Sequence, residues 1–179
     1  MKITEIKVDE SNSLFEKTGM VHKIFSSDQR KIRYYALLIV QIAPEKFRDI
    51  NLLEQQISEL IRNAVKHGNK FDKSKQINVW YRFSDDEAYF IIQDEGDGFK
   101  GLEDWNIFNR KRLECIHNQD FDALGEYVSF RTNASDDNDG GNALFAAVEY
   151  WNLGMVYNNK RNCVAVGRKF EKLSLVYDF

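Results

Sequence analysis

Glu59–Gly68, ELIRNAVKHG, closes a helical pattern that carries a chemically reactive stripe beside a buried one. Laid out at about 100° per residue, Ile50, Leu53, Ile57, Leu60, Ile61, Ala64 and Val65 share one broad apolar side. Glu59 and Asn63 are four apart and Lys66 follows one turn on. A carboxylate, an amide and an ammonium are therefore expected to line one groove next to the core. Gly68 is expected to stop the helix as a left-handed C′ residue, with Lys66 and His67 in the last turn, where the macrodipole favours cations. An ordinary amphipathic helix with a solvated polar face would show the same pattern, so the flanking sequence has to decide.

Working outward toward the N-terminus, Pro44 disfavours helical geometry at Ala43 and suits the first turn of the helix that follows, expected over Glu45–His67. Ser27 or Asp28 can cap a helix covering Arg33–Ile42, and Asn12 or Ser13 one running to about Phe25. The apolar Tyr34–Ile42 stretch suits packing on the chain's own core or a face for a second copy. Thr4, Ile6 and Val8 alternate within Lys2–Val8, which predicts a short edge strand.

Toward the C-terminus, Ile77, Val79, Tyr81 and Phe83 alternate with Asn78, Trp80 and Arg82, the mark of a half-buried strand over Gln76–Phe83. A polar turn, Ser84–Glu87, and a β-branched and aromatic run, Ala88–Gln93, complete a hairpin. Phe99–Asp139 shows no sustained period and is expected to be lid-like. Ala143, Leu144, Ala147, Val148 and Trp151 give helical spacing in Asn142–Leu153. Met155–Tyr157 and Cys163–Val166 flank the turn NNKRN as a last hairpin. The expected fold class is α/β of the α+β kind, a two-layer sandwich in which helices cover one face of a mixed or antiparallel sheet.

With 179 residues, 43% hydrophobic and 13% aromatic, the chain suits one domain, 1–179. A net charge of -3 gives no basic field for nucleic acid. The longest apolar run, Tyr34–Ala43, is too short to span a bilayer and the opening residues lack the order of a signal peptide, so a cytoplasmic location without membrane contact is expected. Cys115 and Cys163 form no CxxC pair, which predicts reduced thiols, Cys163 buried in a strand, and no zinc site.

Two further motifs carry chemistry. DEGDGF, Asp94–Phe99, places an acceptor-only carboxylate at a strand end, followed by glycines that let a flat ligand approach without a Cβ in the way. An EF-hand starting at Asp94 would need Glu at its twelfth position, which is Trp105, so calcium is excluded there. DNDGGNALF, Asp137–Phe145, runs a glycine pair into a helix start, where backbone N–H groups suit an anion. No GK[ST] follows, so it is not a Walker loop.

In this order, ELIRNAVKHGN, DEGDGF and GGNALF resemble the N, G1 and G2 boxes of the GHKL family, which includes gyrase, chaperone and mismatch-repair ATPases, histidine kinases and the anti-sigma-factor serine kinases. The resemblance spans about Glu45 to Phe170 and implies a Bergerat ATP-binding fold using ATP and Mg²⁺. Its parts would be an N-terminal strand and helices (1–44), the N-box helix (45–68), the G1 hairpin (76–98), a lid (99–139), the G2 helix with the C-terminal hairpin (140–170) and a tail (171–179). Carried across, it makes Asn63 the Mg²⁺ ligand and Glu59 the carboxylate that activates water or a substrate hydroxyl. Lys66 falls at a phosphate-contacting lysine. Asp94 would bond the adenine amino group, Gly96 and Gly98 would shape that pocket, and Gly141 would sit by the phosphates.

Two departures stand out. Ala143 replaces the second glycine of the third box, and Asp136, Asp137 and Asp139 precede it, where like charge repels a triphosphate. Arg131 or Arg110–Arg112 are candidates for the compensating charge. Size makes the chain most similar to the anti-sigma-factor serine/threonine kinases, which implies phosphorylation of a small antagonist protein, a sigma factor or its antagonist as partner, and a homodimer. A hydrolytic ATPase switch and a degenerate binding module remain alternatives.

Overall fold

The computed structural model describes residues 5–45, 47, 50–131 and 142–170. Its elements run β1 (Lys7–Val8), β2 (Val21–Ser26), α1 (Ile32–Val40), α2 (Ile50–Asn63), β3 (Gln76–Phe83), β4 (Glu87–Gln93), α3 (Leu102–Asn118), α4 (Phe121–Leu124), α5 (Ala143–Tyr150), β5 (Gly154–Tyr157) and β6 (Cys163–Lys169). The strands form one six-stranded sheet ordered β1-β5-β6-β4-β3-β2. Every pairing is antiparallel except the parallel β1–β5 edge pair.

Alternation along the strands separates the two faces. Ile77, Val79 and Tyr81 of β3, Ala88, Phe90 and Ile92 of β4, and Val164 and Val166 of β6 point into the main core. Leu53, Ile57, Leu60, Ile61 and Val65 from the α2 side and Tyr35, Ala36 and Ile39 of α1 close over them. Each fully buried leucine or isoleucine there contributes about 1.5–3 kcal/mol, which holds the polar stripe of α2 in place against the sheet. The expected sandwich of helices on a mixed sheet is thus present.

The first expected helix is absent. Asn12 does cap a helical turn, its side chain accepting from Leu14 N–H at 3.0 Å, but that 3₁₀ turn covers only Ser13–Phe15. Gly19 takes a left-handed φ of 73°, and Val21–Ser26 continues as β2, paired along its length with β3. The β-branched and aromatic residues Val21, Ile24 and Phe25 suit that strand. The segment before it crosses the second face of the sheet, where Leu14 packs with Ile91, Val156, Cys163 and Ala165. Lys17 Nζ stands 3.5 Å from the Trp80 ring centroid, and His22 stacks on Trp80 at 4.6 Å.

Asp28 caps the 3₁₀ turn that opens α1, accepting from Arg30 N–H at 3.1 Å. One side of α1 is core, while Tyr34, Leu37, Leu38 and Ile42 are exposed. In the stretch expected to be lid-like, with no sustained period, α3 runs for 17 residues and buries only Leu102, Trp105 and Asn109. The acidic run Asp136–Asp139, Gly141 and the tail lie outside the described residues.

Candidate functional site

The helix end that opened the sequence reading differs from expectation in one instructive way. After Asn63 the chain widens into a π turn, Ala64–Gly68, in which Asn69 N–H donates to Ala64 O at 2.8 Å and Phe71 N–H to Val65 O at 2.9 Å. Gly68 is not left-handed; the positive φ values fall on Lys70 (54°) and Phe71 (59°). What position 68 requires is room. A Cβ there would lie 2.2 Å from Asp94 Cγ and 2.4–2.6 Å from both of its carboxylate oxygens.

Asp94 leaves the end of β4 and enters this space. Gly96 is closed in the same manner, because its Cβ would meet Gly68 O at 2.3 Å and Asp94 Oδ1 at 2.9 Å. The two glycine-containing motifs are therefore in direct contact through one carboxylate: a side chain at position 68 would have to displace it, and one at position 96 the Gly68 backbone as well. Asp94 Oδ1 accepts from Gly96 N–H at 2.7 Å. Burial pushes the Asp94 carboxyl up to about 6, against the lowering effect of the Gly96 N–H bond and of Lys160 and Lys75. Tyr157 also lies near: burial first, then the Asp94 charge, raises its phenol above the usual range.

Gly98 serves the turn on the far side. It has φ 88°, and a Cβ would stand 2.0 Å from Lys160 O. That turn, between β5 and β6, binds the motif through Asp94 N–H to Asn162 O at 2.9 Å, Asn162 Nδ2 to Asp94 O at 2.7 Å, and Phe99 N–H to Arg161 O at 3.0 Å. Asn158 Oδ1 holds the turn itself, accepting from Asn162 and Cys163 N–H, each at 3.1 Å.

Glu59 sits on the other flank of α2. It is half-buried, is ion-paired to Arg62, and opens onto a groove of about 460 Å³ between α2 and the start of α1. Arg30, Arg33, Glu54 and Ser58 also line this groove. Asn63 and Lys66 are not among its lining residues. Asn63 is half-buried at the junction with the π turn and makes no capping hydrogen bond. Lys66 is half-buried within the widened turn, which rotates it relative to the regular helical stripe.

The arginine cluster of α3 is engaged elsewhere. Arg110 pairs with Glu5, and Arg112 lies 4.7 Å from the Phe145 ring centroid and 3.5 Å from Glu149. Arg131 is exposed. No group of three or more His, Cys, Asp or Glu suited to a metal occurs among the described residues. The Asp94 carboxylate fills the room that Gly68 and Gly96 leave, and as an ionised group it can only accept hydrogen bonds.

Two asparagines matter that the motifs did not single out. Asn69 and Asn162 are buried, and both bond the Asp94 loop. A local pattern cannot mark them, since their partners lie 26 and 68 residues away.

No helix among the described residues is long and apolar enough to cross a membrane. No protein-family model matches the chain. Over 53 residues it is 36% identical to the serine-protein kinase RsbW of Bacillus licheniformis, a match that covers 30% of this chain and 33% of that protein.

Proposed function

We propose that the chain binds ATP with Mg²⁺ and acts as a serine/threonine protein kinase of the anti-sigma-factor type, phosphorylating a small regulatory antagonist protein. The observation that carries the reading is the Asp94 carboxylate enclosed by Gly68 and Gly96 at the end of the helix bearing Glu59 and Asn63. The partial likeness to a serine-protein kinase supports it.

In this account the Asp94 carboxylate accepts a hydrogen bond from the adenine amino group, Gly96 and Gly98 shape the pocket by letting the loop close on Gly68 and Lys160, and Asn63 is the side chain that would hold Mg²⁺. The ion, once bound, neutralises charge on the phosphates. Lys66 and, by the family resemblance, Gly141 would contact the phosphates. Glu59 takes the proton of the attacking serine or threonine hydroxyl, whose oxygen bonds the γ-phosphorus as ADP departs. The groove beside Glu59 gives an acceptor segment access to that carboxylate, and Arg62 fixes its direction. The exposed apolar residues of α1 support a protein partner, a sigma factor or its antagonist, or a second copy of the chain.

Glu59→Ala tests this. The variant should bind ATP as tightly as the parent and lose transfer of labelled γ-phosphate to a candidate antagonist protein. Transfer undiminished in Glu59→Ala would refute the role. Release of inorganic phosphate without a labelled protein would replace the kinase by an ATPase that uses the same carboxylate on water.

A further inference from the structure

Asn69 has no exposed surface, an unusual place for an asparagine, and every polar atom of its side chain is in use. Its Nδ2 donates to Ser27 Oγ at 2.6 Å and to Gln76 O at 2.9 Å, and its Oδ1 accepts from Glu95 N–H at 2.7 Å. The Glu95 carboxylate in turn accepts from Gln76 N–H at 2.6 Å. Ser27 is itself fully buried, and its N–H donates to Lys75 O at 3.2 Å. Asn69 is thus anchored on the residue that follows β2 and on the start of β3 while it holds the loop after β4.

The peptide unit that joins Asp94 to Glu95 is gripped at both ends. Its N–H goes to Asn69 Oδ1 at 2.7 Å, and its carbonyl oxygen accepts from Asn162 Nδ2 at 2.7 Å. A planar peptide with both polar atoms tied cannot rotate. That plane fixes the backbone from which the Asp94 side chain departs, and the Gly96 N–H bond to Oδ1 with the contact at Gly68 then sets where the carboxylate points.

We propose that Asn69 is a positioning residue for base selectivity, clamping the Asp94–Glu95 peptide against Asn162 so that the Asp94 carboxylate meets the exocyclic amino group of a purine nucleotide. The inference rests on the ATP reading above and extends it to a residue outside the contacting set. An adenine base presents a donor to the carboxylate, whereas hypoxanthine presents a carbonyl oxygen that the same carboxylate repels. Discrimination between them needs the carboxylate aimed, beyond its mere presence.

The test compares ATP with inosine triphosphate by calorimetric titration of the full chain, with circular dichroism as the check on folding. The parent should prefer ATP. Asn69→Ala should lower that preference by about tenfold, mostly through weaker ATP binding. Asn69→Asp keeps an acceptor for Glu95 N–H and should keep the preference, although it loses the bonds to Ser27 and Gln76 and with them some stability. A folded Asn69→Ala with the parent's preference, or Asn69→Asp losing it as fully, would overturn the proposal. Where Asn69→Ala does not fold, amide exchange in the parent decides: ATP should slow exchange at Glu95 N–H more than inosine triphosphate at equal saturation, and equal slowing would count against it. A parent that binds neither nucleotide refutes the ATP reading itself, a separate result from a parent that discriminates while its Asn69 variants do so equally well.

Discussion

Gly68 and Asp94 are in such close contact that a single methyl group at position 68 would fall 2.2 Å from the Asp94 Cγ. The helix end and the loop after β4 meet there as backbone against carboxylate. The chain itself holds the carboxylate largely off solvent.

Gly68→Ala should therefore act on the site rather than on the fold. The new Cβ must displace the Asp94 side chain, and ATP affinity should fall by about tenfold or more, the loss expected when one charged hydrogen bond is broken. Titration with ATP, set beside a thermal melt, separates this from general destabilisation. An alanine variant that binds as the parent does would show that Asp94 is not the base contact.

The raised Asp94 pKa affects both stability and ligand binding. Its ordinary value is 3.8, and in the fold it lies at about 6 because of burial. The folded state therefore holds a proton more tightly than the unfolded one. The sign is that Asp94 lowers stability progressively as pH rises from about 4 to about 6, by at most about 3 kcal/mol and less because the group is partly solvated. Asp94→Asn should lose this dependence and be the more stable protein at pH 7 in denaturant titrations. In the parent, ATP binding should weaken as pH falls below about 6 and the acceptor becomes protonated, while Asp94→Asn binds weakly with no such step.

The second face of the sheet gives a separate prediction. Cys163 is buried beneath Leu14, and burial pushes its thiol up to about 12. At pH 8 an alkylating reagent should modify half-buried Cys115 well before Cys163, as followed by peptide mass spectrometry. Leu14→Ala removes the cover at a cost of about 2–5 kcal/mol and should bring the Cys163 rate up. Equal rates in both proteins would mean that the Ser13–Phe15 turn does not shield that face.

The strands that were legible in the sequence are those whose two faces differ. In β3, buried Ile77, Val79 and Tyr81 alternate with half-buried Asn78, Trp80 and Arg82, so period and burial coincide. In β2 the exposed Val21, His22, Lys23 and Ile24 give no such contrast, and the genuine cap at Asn12 suggested a helix that ends after one turn. Helix α3 buries three residues in 17, too few to impose a visible period. Of the candidate site, the closeness of Asp94, Gly96 and Gly98 is legible because one short motif contains all three. Gly68 was read for the wrong reason, since sequence does not distinguish a glycine needed for its φ from one needed for its lack of a Cβ. Asn69 could not be read at all, because only the fold brings Ser27 and Glu95 to it.

Nucleotide binding at Asp94, with Mg²⁺ at Asn63, underlies the proposed kinase activity. Calorimetric titration of the chain with ATP and with a non-hydrolysable analogue, each with and without Mg²⁺, tests it most directly. The account predicts saturable binding of both that is strengthened by Mg²⁺ in the parent and loses its Mg²⁺ response in Asn63→Ala. The absence of any binding at millimolar nucleotide would contradict it.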